Sequence, residues 1–251
     1  MALELKLRQG LVYAPRVAAV PALPPGYTMY VNHRVQSDLS AGSINTILDS
    51  SDNAFNLPFS AGTKAKLDGS NLGGLPTIDT HAAFGKYVTG AAETWNDVFP
   101  SARGTIIAVV RVRSIVNSFG APDYIITKQD TSEGPWLAAK TGPLIRFRWR
   151  DSGGSKEIST SIALDTWYVI TARANGTNIR LQKNRSTEET PVVAGDLSHT
   201  DGRIEKFADN GDAGMFDGME GFCLLWDGAL TDQQVTQALD ALKALAPELS
   251  L

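Results

Sequence analysis

Glycoside or ester hydrolysis by carboxylates needs two of them facing one bond, one to move a proton and one to attack or to activate water. In this chain of 251 residues, Glu188 and Glu189 are neighbours, and adjacent side chains of a strand point to opposite faces. Asp217 and Glu220 stand three apart in a glycine-rich stretch, a spacing that does not present a pair to one cleft. The three histidines, His33, His81 and His199, are far apart without a flanking motif, and Ser198-His199-Thr200-Asp201 reads as a polar turn. No pair has zinc-ligand spacing. The single cysteine, Cys223, lies in an apolar run, where a thiol acts as a small hydrophobe. Gly73-Gly74 lacks the Gly-Lys-Ser/Thr ending of a phosphate loop. The chain is expected not to be an enzyme.

Binding chemistry has more material. Between Asp196 and Glu220 acidic residues concentrate among glycines, and Asp209, Asn210 and Asp212 offer the hard oxygen ligands that calcium takes in a flexible loop. Calcium is the one metal the residues suggest, and no other cofactor is expected. Sugar binding needs exposed aromatic rings to stack on pyranose faces; Trp136, Tyr124 and Trp95 lie in or near loops and are the candidates. Trp149, Trp167 and Trp226 sit in strand patterns and are assigned to the core. Arg146, Arg148 and Arg150 share one face of a strand and are read as a solvated face. With a net charge of -4 and scattered basic residues, nucleic acid is not an expected partner.

The elements that must position these residues are mostly strands. Thr105 to Arg113 is β-branched and apolar, Tyr124 to Lys128 follows, and 144–150 alternates strictly before the loop Asp151-Ser-Gly-Gly154 and a return strand over 157–163. Trp167–Ala174 and 177–183 flank Asn175-Gly176, which predicts a two-residue primed hairpin turn on those two residues. Phe222 to Trp226 predicts a strand buried on both faces. Thr231, three before Gln234, then caps a helix carrying Val235, Ala238, Leu239, Leu242 and Leu245 on one face until Pro247.

Residues 1–35 differ. From Val17 to Gly26 they are apolar and proline-stiffened, which favours an extended path in a groove, on the chain's own domain or on a neighbour. Tyr13, Val17, Val20, Leu23 and Tyr27 are the expected assembly contacts of such an arm, with residues 36–251 as the body. Nothing has the length of a membrane span. Charges and prolines interrupt any N-terminal signal pattern.

Thr105–Val112, the strand opened by Trp167 after Leu164-Asp-Thr, Asn175-Gly-Thr-Asn-Ile-Arg-Leu181 and Gly221-Phe-Cys-Leu-Leu-Trp-Asp-Gly-Ala-Leu-Thr-Asp-Gln-Gln-Val235 together resemble the laminin-G-like jelly-roll family of concanavalin-A-like folds, over residues 75–246. The resemblance implies an all-β antiparallel jelly-roll sandwich with one C-terminal α-helix, here preceded by an extended N-terminal arm. It also implies calcium at the sandwich rim in many members. Glycosidases of this fold carry alternating carboxylates on one strand, and no such run is present. The family hosts lectins, adhesion domains and virion proteins. The leading expectation is a structural virion component of a tailed bacteriophage, a capsid decoration (cement) or tail protein. It would be made in the host cytoplasm and would partner copies of itself or other virion proteins. The alternative is a carbohydrate-binding, lectin-like module, with calcium or without it, whose partners are glycans. Neither reading involves a membrane.

Overall fold

The computed structural model describes residues 22–32, 39–40, 42–73, 75–80, 85–115, 123–128, 135–151, 153–186, 191–197, 202–207 and 215–251. Within them the strands are β1 (Tyr27–Asn32), β2 (Leu39–Ser40), β3 (Ser43–Ile44), β4 (Thr46–Ile47), β5 (Leu57–Ala61), β6 (Lys66–Leu72), β7 (Leu75–Asp79), β8 (Lys86–Val88), β9 (Gly104–Ser114), β10 (Asp123–Lys128), β11 (Trp136–Lys140), β12 (Leu144–Asp151), β13 (Gly154–Ser161), β14 (Trp167–Ala174), β15 (Asn178–Lys183), β16 (Val192–Val193), β17 (Ile204–Lys206) and β18 (Asp217–Asp227). Two helices join them, α1 (Trp95–Val98) and α2 (Asp232–Leu245).

The strands form two antiparallel sheets. One runs β16-β15-β14-β9-β18-β7-β6-β3-β2, with β1 also against β18; the other runs β13-β12-β11-β10-β17-β8-β5-β4. Residues of both sheets meet in one buried layer, among them Ile106, Ala108, Val110, Ile170 and Ala172 from the first and Ile145, Phe147 and Trp149 from the second. This is the antiparallel sandwich expected from the alternation of apolar and polar residues. In β12 the alternation is complete: Ile145, Phe147 and Trp149 point inward, while Arg146, Arg148 and Arg150 stay partly exposed.

A second apolar layer lies on the outer face of the ten-stranded sheet. There α2 lays Val235, Ala238, Leu239 and Leu242 on Ile107, Val109, Val169, Phe222, Leu224 and Trp226. The helix starts where the capping pattern predicts. The Gln234 amide N–H donates to Thr231 Oγ1 at 3.3 Å, and the Thr231 N–H donates to Gln234 Oε1 at 2.9 Å. Two apolar faces on one sheet explain why β18 reads as a continuous hydrophobic run.

Three expectations need correction. Tyr27–Asn32, assigned to the arm, is strand β1 and pairs with Phe222–Trp226. Leu23 and Tyr27 pack on the helix layer, and Trp226 Nε1 donates to the Pro24 carbonyl at 3.2 Å. Tyr13, Val17 and Val20 lie outside the described residues. The hairpin turn sits one residue later than predicted: the Asn175 N–H closes it on the Asn178 carbonyl, and Gly176, at φ +87°, takes its first central position. Asn175 instead uses Oδ1 to accept from the N–H groups of Thr177 and Asn178 and from Thr177 Oγ1. Asp217 and Glu220, placed in a loop by their glycines, belong to β18.

Glu220 faces inward. Its Oε2 accepts from Lys206 Nζ at 2.7 Å, with both side chains fully buried. Burial works against the charge on Lys206, but the Glu220 carboxylate beside it holds its pKa above the ordinary lysine value. Burial pushes the neighbouring Cys223 thiol up to about 12, so it stays protonated at neutral pH.

Candidate functional site

A concavity forms where the N-terminal turn of α2 crosses the outer face of β14 and β15. In β14, Ile170, Ala172 and Ala174 enter the core, so Arg173 must point outward. It projects beneath the turn that leads into the helix and remains only 7% exposed. Its guanidinium donates to the Leu230 carbonyl at 2.8 Å and to Asp232 Oδ1 at 2.7 Å. The Arg173 hydrogen bond and charge, with a further contribution from Arg180, hold the Asp232 carboxyl below the usual carboxylate range. Thr105 fixes the same turn, donating from Oγ1 to the Gly228 carbonyl at 3.0 Å and accepting from the Leu230 N–H at 2.9 Å.

Arg173 divides two clefts. The larger, about 320 Å³, is lined by Arg173, Gln182 and Ser186 and, from α2, by Asp232, Val235, Thr236 and Leu239. The smaller, about 170 Å³, is lined by Asn175, Asn178, Arg180, Ala229 and Leu230. Gln182 Nε2 donates to the Ser186 carbonyl at 2.9 Å, and the adjoining Arg185 pairs with Asp240 of α2. Guanidinium, carboxamide and hydroxyl groups on strands and a helix turn, beside the aliphatic Val235 and Leu239, suit a hydroxyl-rich ligand. Among the described residues the lining holds one carboxylate, Asp232, and no histidine.

The aromatic candidates are elsewhere. Trp136 opens β11 and Tyr124 lies in β10, on the outer face of the eight-stranded sheet. Their rings meet edge to face at 5.8 Å in a small buried cluster with Ala138, 2% and 4% exposed. The Arg148 guanidinium lies 5.9 Å from the Trp136 ring centroid. Pro135 precedes Trp136, and a proline stands readily at the start of a strand, where its missing N–H costs nothing. Trp95 is fully buried and stacks on Phe99 at 5.0 Å. Its helix α1 had a readable start in Thr94-x-x-Asp97, where the Thr94 N–H donates to Asp97 Oδ2 at 2.7 Å. None of the three offers an open ring face for a sugar.

Asp209, Asn210 and Asp212 lie outside the described residues. The described acids of that stretch are engaged otherwise: Asp196 with Arg103 at 3.0 Å, Glu205 with Lys86 at 4.0 Å, Asp217 with Arg113 at 2.9 Å, and Glu220 with Lys206. Among the described residues no group of three or more His, Cys, Asp or Glu could hold a metal ion. No described helix is long and apolar enough to cross a membrane.

No protein-family profile and no curated protein sequence matches the chain. Solved structures do. Domain 4 of AbnA, a GH43 extracellular arabinanase from Geobacillus stearothermophilus solved in complex with arabinotriose, superposes with a TM-score of 0.60 at 12% identity, covering 85% of this chain and 98% of that one. The botulinum neurotoxin DC binding domain in complex with SialylT gives 0.60 at 13% identity, over 86% of this chain and 51% of that one. The same toxin's binding domain in complex with rat synaptotagmin II gives 0.57 at 13% identity, over 86% and 52%. The chain is a jelly-roll β-sandwich. It matches the whole of the arabinanase domain but spans about half the length of the toxin binding domains. At these identities the likeness is one of fold, and the jelly roll carries many unrelated sites.

The sequence missed Arg173 and the clefts beside it. A signal existed, because Arg173 is the one charged residue in the otherwise apolar run Trp167–Ala174.

Proposed function

We propose that this jelly roll is a non-catalytic carbohydrate-binding module that takes an oligosaccharide along the paired clefts around Arg173. The observation that carries the reading is the clefts' composition: planar hydrogen-bonding side chains beside aliphatic ones, carried on two strands and a helix turn. The same fold, in the arabinanase domain and in the longer toxin binding domain, has been solved with arabinotriose and with SialylT. Among the described residues the lining holds a single carboxylate, where glycoside hydrolysis uses a pair. Calcium, if the module uses it, would be held by Asp209, Asn210 and Asp212.

A glycan array followed by calorimetric titration of the best ligand tests this reading. Gln182→Ala and Asn178→Ala are expected to weaken binding at least tenfold each with an unchanged melting temperature. Absence of any glycan ligand, or full affinity in both variants, would overturn it.

A role in a virion, as a decoration or tail protein, is the second reading, and it rests on the apolar Val17–Pro21 stretch. Leu23 and Tyr27 support it less, because they already pack on the chain's own helix layer. Truncation should therefore remove residues 1–21 only. Loss of residues 27–32 would strip a strand from β18 and damage the body itself. An oligomer of the full chain that becomes monomeric without residues 1–21 would support arm-mediated assembly, and a monomer in both forms would argue against it.

A further inference from the structure

We infer that the larger cleft takes a sugar unit with a free hydroxymethyl group, whose hydroxyl descends past the lining to bond with Thr171 Oγ1. The inference rests on the carbohydrate reading above and adds a ligand class to it.

Thr171 lies in β14 between Val169 and Arg173, so its side chain shares their outward face. It is only 1% exposed, and among the described residues its Oγ1 has no hydrogen-bond partner. Other buried threonines are bonded. Thr80 Oγ1 donates to the Phe216 carbonyl at 2.7 Å, Thr89 Oγ1 to the Glu93 carbonyl at 2.6 Å and Thr105 Oγ1 to the Gly228 carbonyl at 3.0 Å. A buried hydroxyl without a bond costs stability, so in the free protein this strand gains nothing from threonine where valine has the same shape.

Its neighbours place Thr171 under the larger cleft. Arg173, two residues on, and Gln182, directly opposite on β15, both line that cleft. Across the other edge of β14 stands Ile107 of β9, in the apolar layer shared with Val235 and Leu239 of α2. Gln182 does not supply the missing bond; its Nε2 donates instead to the Ser186 carbonyl at 2.9 Å. Among the described residues this is the one hydrogen bond of the Gln182 side chain, so it can turn aside at little cost to admit a ligand group.

Thr171 is not itself part of the lining, so a group that reaches it must extend below the surface of the cleft. A hydroxyl set directly on a sugar ring stays close to the ring. A hydroxymethyl group carries its hydroxyl one bond further, on a methylene that suits the aliphatic Ile107, Val235 and Leu239. That hydroxyl both donates and accepts, as threonine does, so either direction of the bond serves. At about 320 Å³ the cleft lies at the lower end of the range for ligand sites, which suits one unit of a chain.

The test is calorimetric titration of the full chain with two matched pairs: cellotriose against xylotriose, and methyl β-galactoside against its 6-deoxy form. The first pair differs in the hydroxymethyl groups and the second in that hydroxyl alone. In at least one pair the hydroxymethyl sugar is expected to bind about tenfold tighter or more. Thr171→Val keeps the shape of the side chain without its hydroxyl. It should abolish that advantage and leave the affinity of the sugar lacking the group within about twofold, while raising the melting temperature of the free protein by roughly 2–4 °C. Thr171→Ser keeps a hydroxyl and should retain the preference. Equal affinity within both pairs, an advantage that survives Thr171→Val, or a melting temperature that does not rise would overturn the Thr171 contact and leave the carbohydrate reading standing. Binding of other glycans but of neither pair would do the same. Binding of no glycan at all would overturn both.

Discussion

The molecule displays arginines on two outer faces, and they do different things. On the eight-stranded sheet Arg146, Arg148 and Arg150 follow one another along β12, across from Ser155, Glu157 and Ser159 of β13. Arg146 pairs with Glu157 at 3.1 Å with both groups partly in solvent, and Arg148 donates to Ser155. Such a face is flat, and an exposed pair of this kind contributes only about 0.2–1 kcal/mol. On the ten-stranded sheet Arg173 and Arg180 lie on neighbouring strands, but a turn and a helix cross above them. The crossing removes water from Arg173, makes two clefts and fixes the groups that line them. What turns an arginine into part of a site here is the backbone above it, more than the strand that carries it.

Four substitutions break or sharpen that contrast. The largest effect belongs to a pair with no solvent at all. Glu220→Ala would leave the Lys206 ammonium buried alone between the sheets, and unfolding in denaturant should show a loss of about 3–5 kcal/mol. Glu220 and Lys206 replaced together by methionines should recover most of it. Next comes Arg173→Ala, which strips a donor from the Leu230 carbonyl and from Asp232; a loss of roughly 1–3 kcal/mol is expected, together with glycan binding. A stability change below about 0.5 kcal/mol, the level typical of an ordinary surface site, would place Arg173 with the flat-face arginines.

Acid titration probes the same contact more gently. The folded pKa of Asp232 is depressed. The stability its ionised form contributes is therefore present above the unfolded value of about 3.9 and disappears as pH falls through the folded value. Asp232→Asn should narrow the stability gap to wild type as pH drops below about 4, and a gap constant with pH would contradict the Arg173 contact. Arg146→Gln should have the smallest effect, within about 0.5 kcal/mol by thermal or denaturant melting. A larger loss would erase the distinction between the two faces.

Legibility in the sequence followed the range of the forces involved. The β9, β12, β14 and β15 strands and the α2 helix were readable because alternation and capping act between residues a few positions apart. Tyr27–Asn32 was not, because its apolar, proline-led surroundings look the same whether the partner is the chain's own β18 or a neighbour. Trp95, Trp136 and Tyr124 were misplaced because burial is decided by what lies opposite, and a turn-forming proline or glycine nearby says nothing about that. The Asn175-Gly176 hairpin was recognised but shifted by one position, since Asn175 satisfies its side chain locally instead of adopting a left-handed backbone.

By itself the sequence determined an antiparallel β-protein closed by one helix, with its inward and outward residues along each clear strand, since side-chain direction follows from the two-residue period of a strand. It also determined a chain without a recognisable catalytic pair. Only the tertiary structure decided where a ligand could sit. Arg173 and Asp232 are 59 positions apart, and Thr105 and Leu230 are 125 apart. A concavity is a relation between such distant backbones, and no local pattern of residues records it.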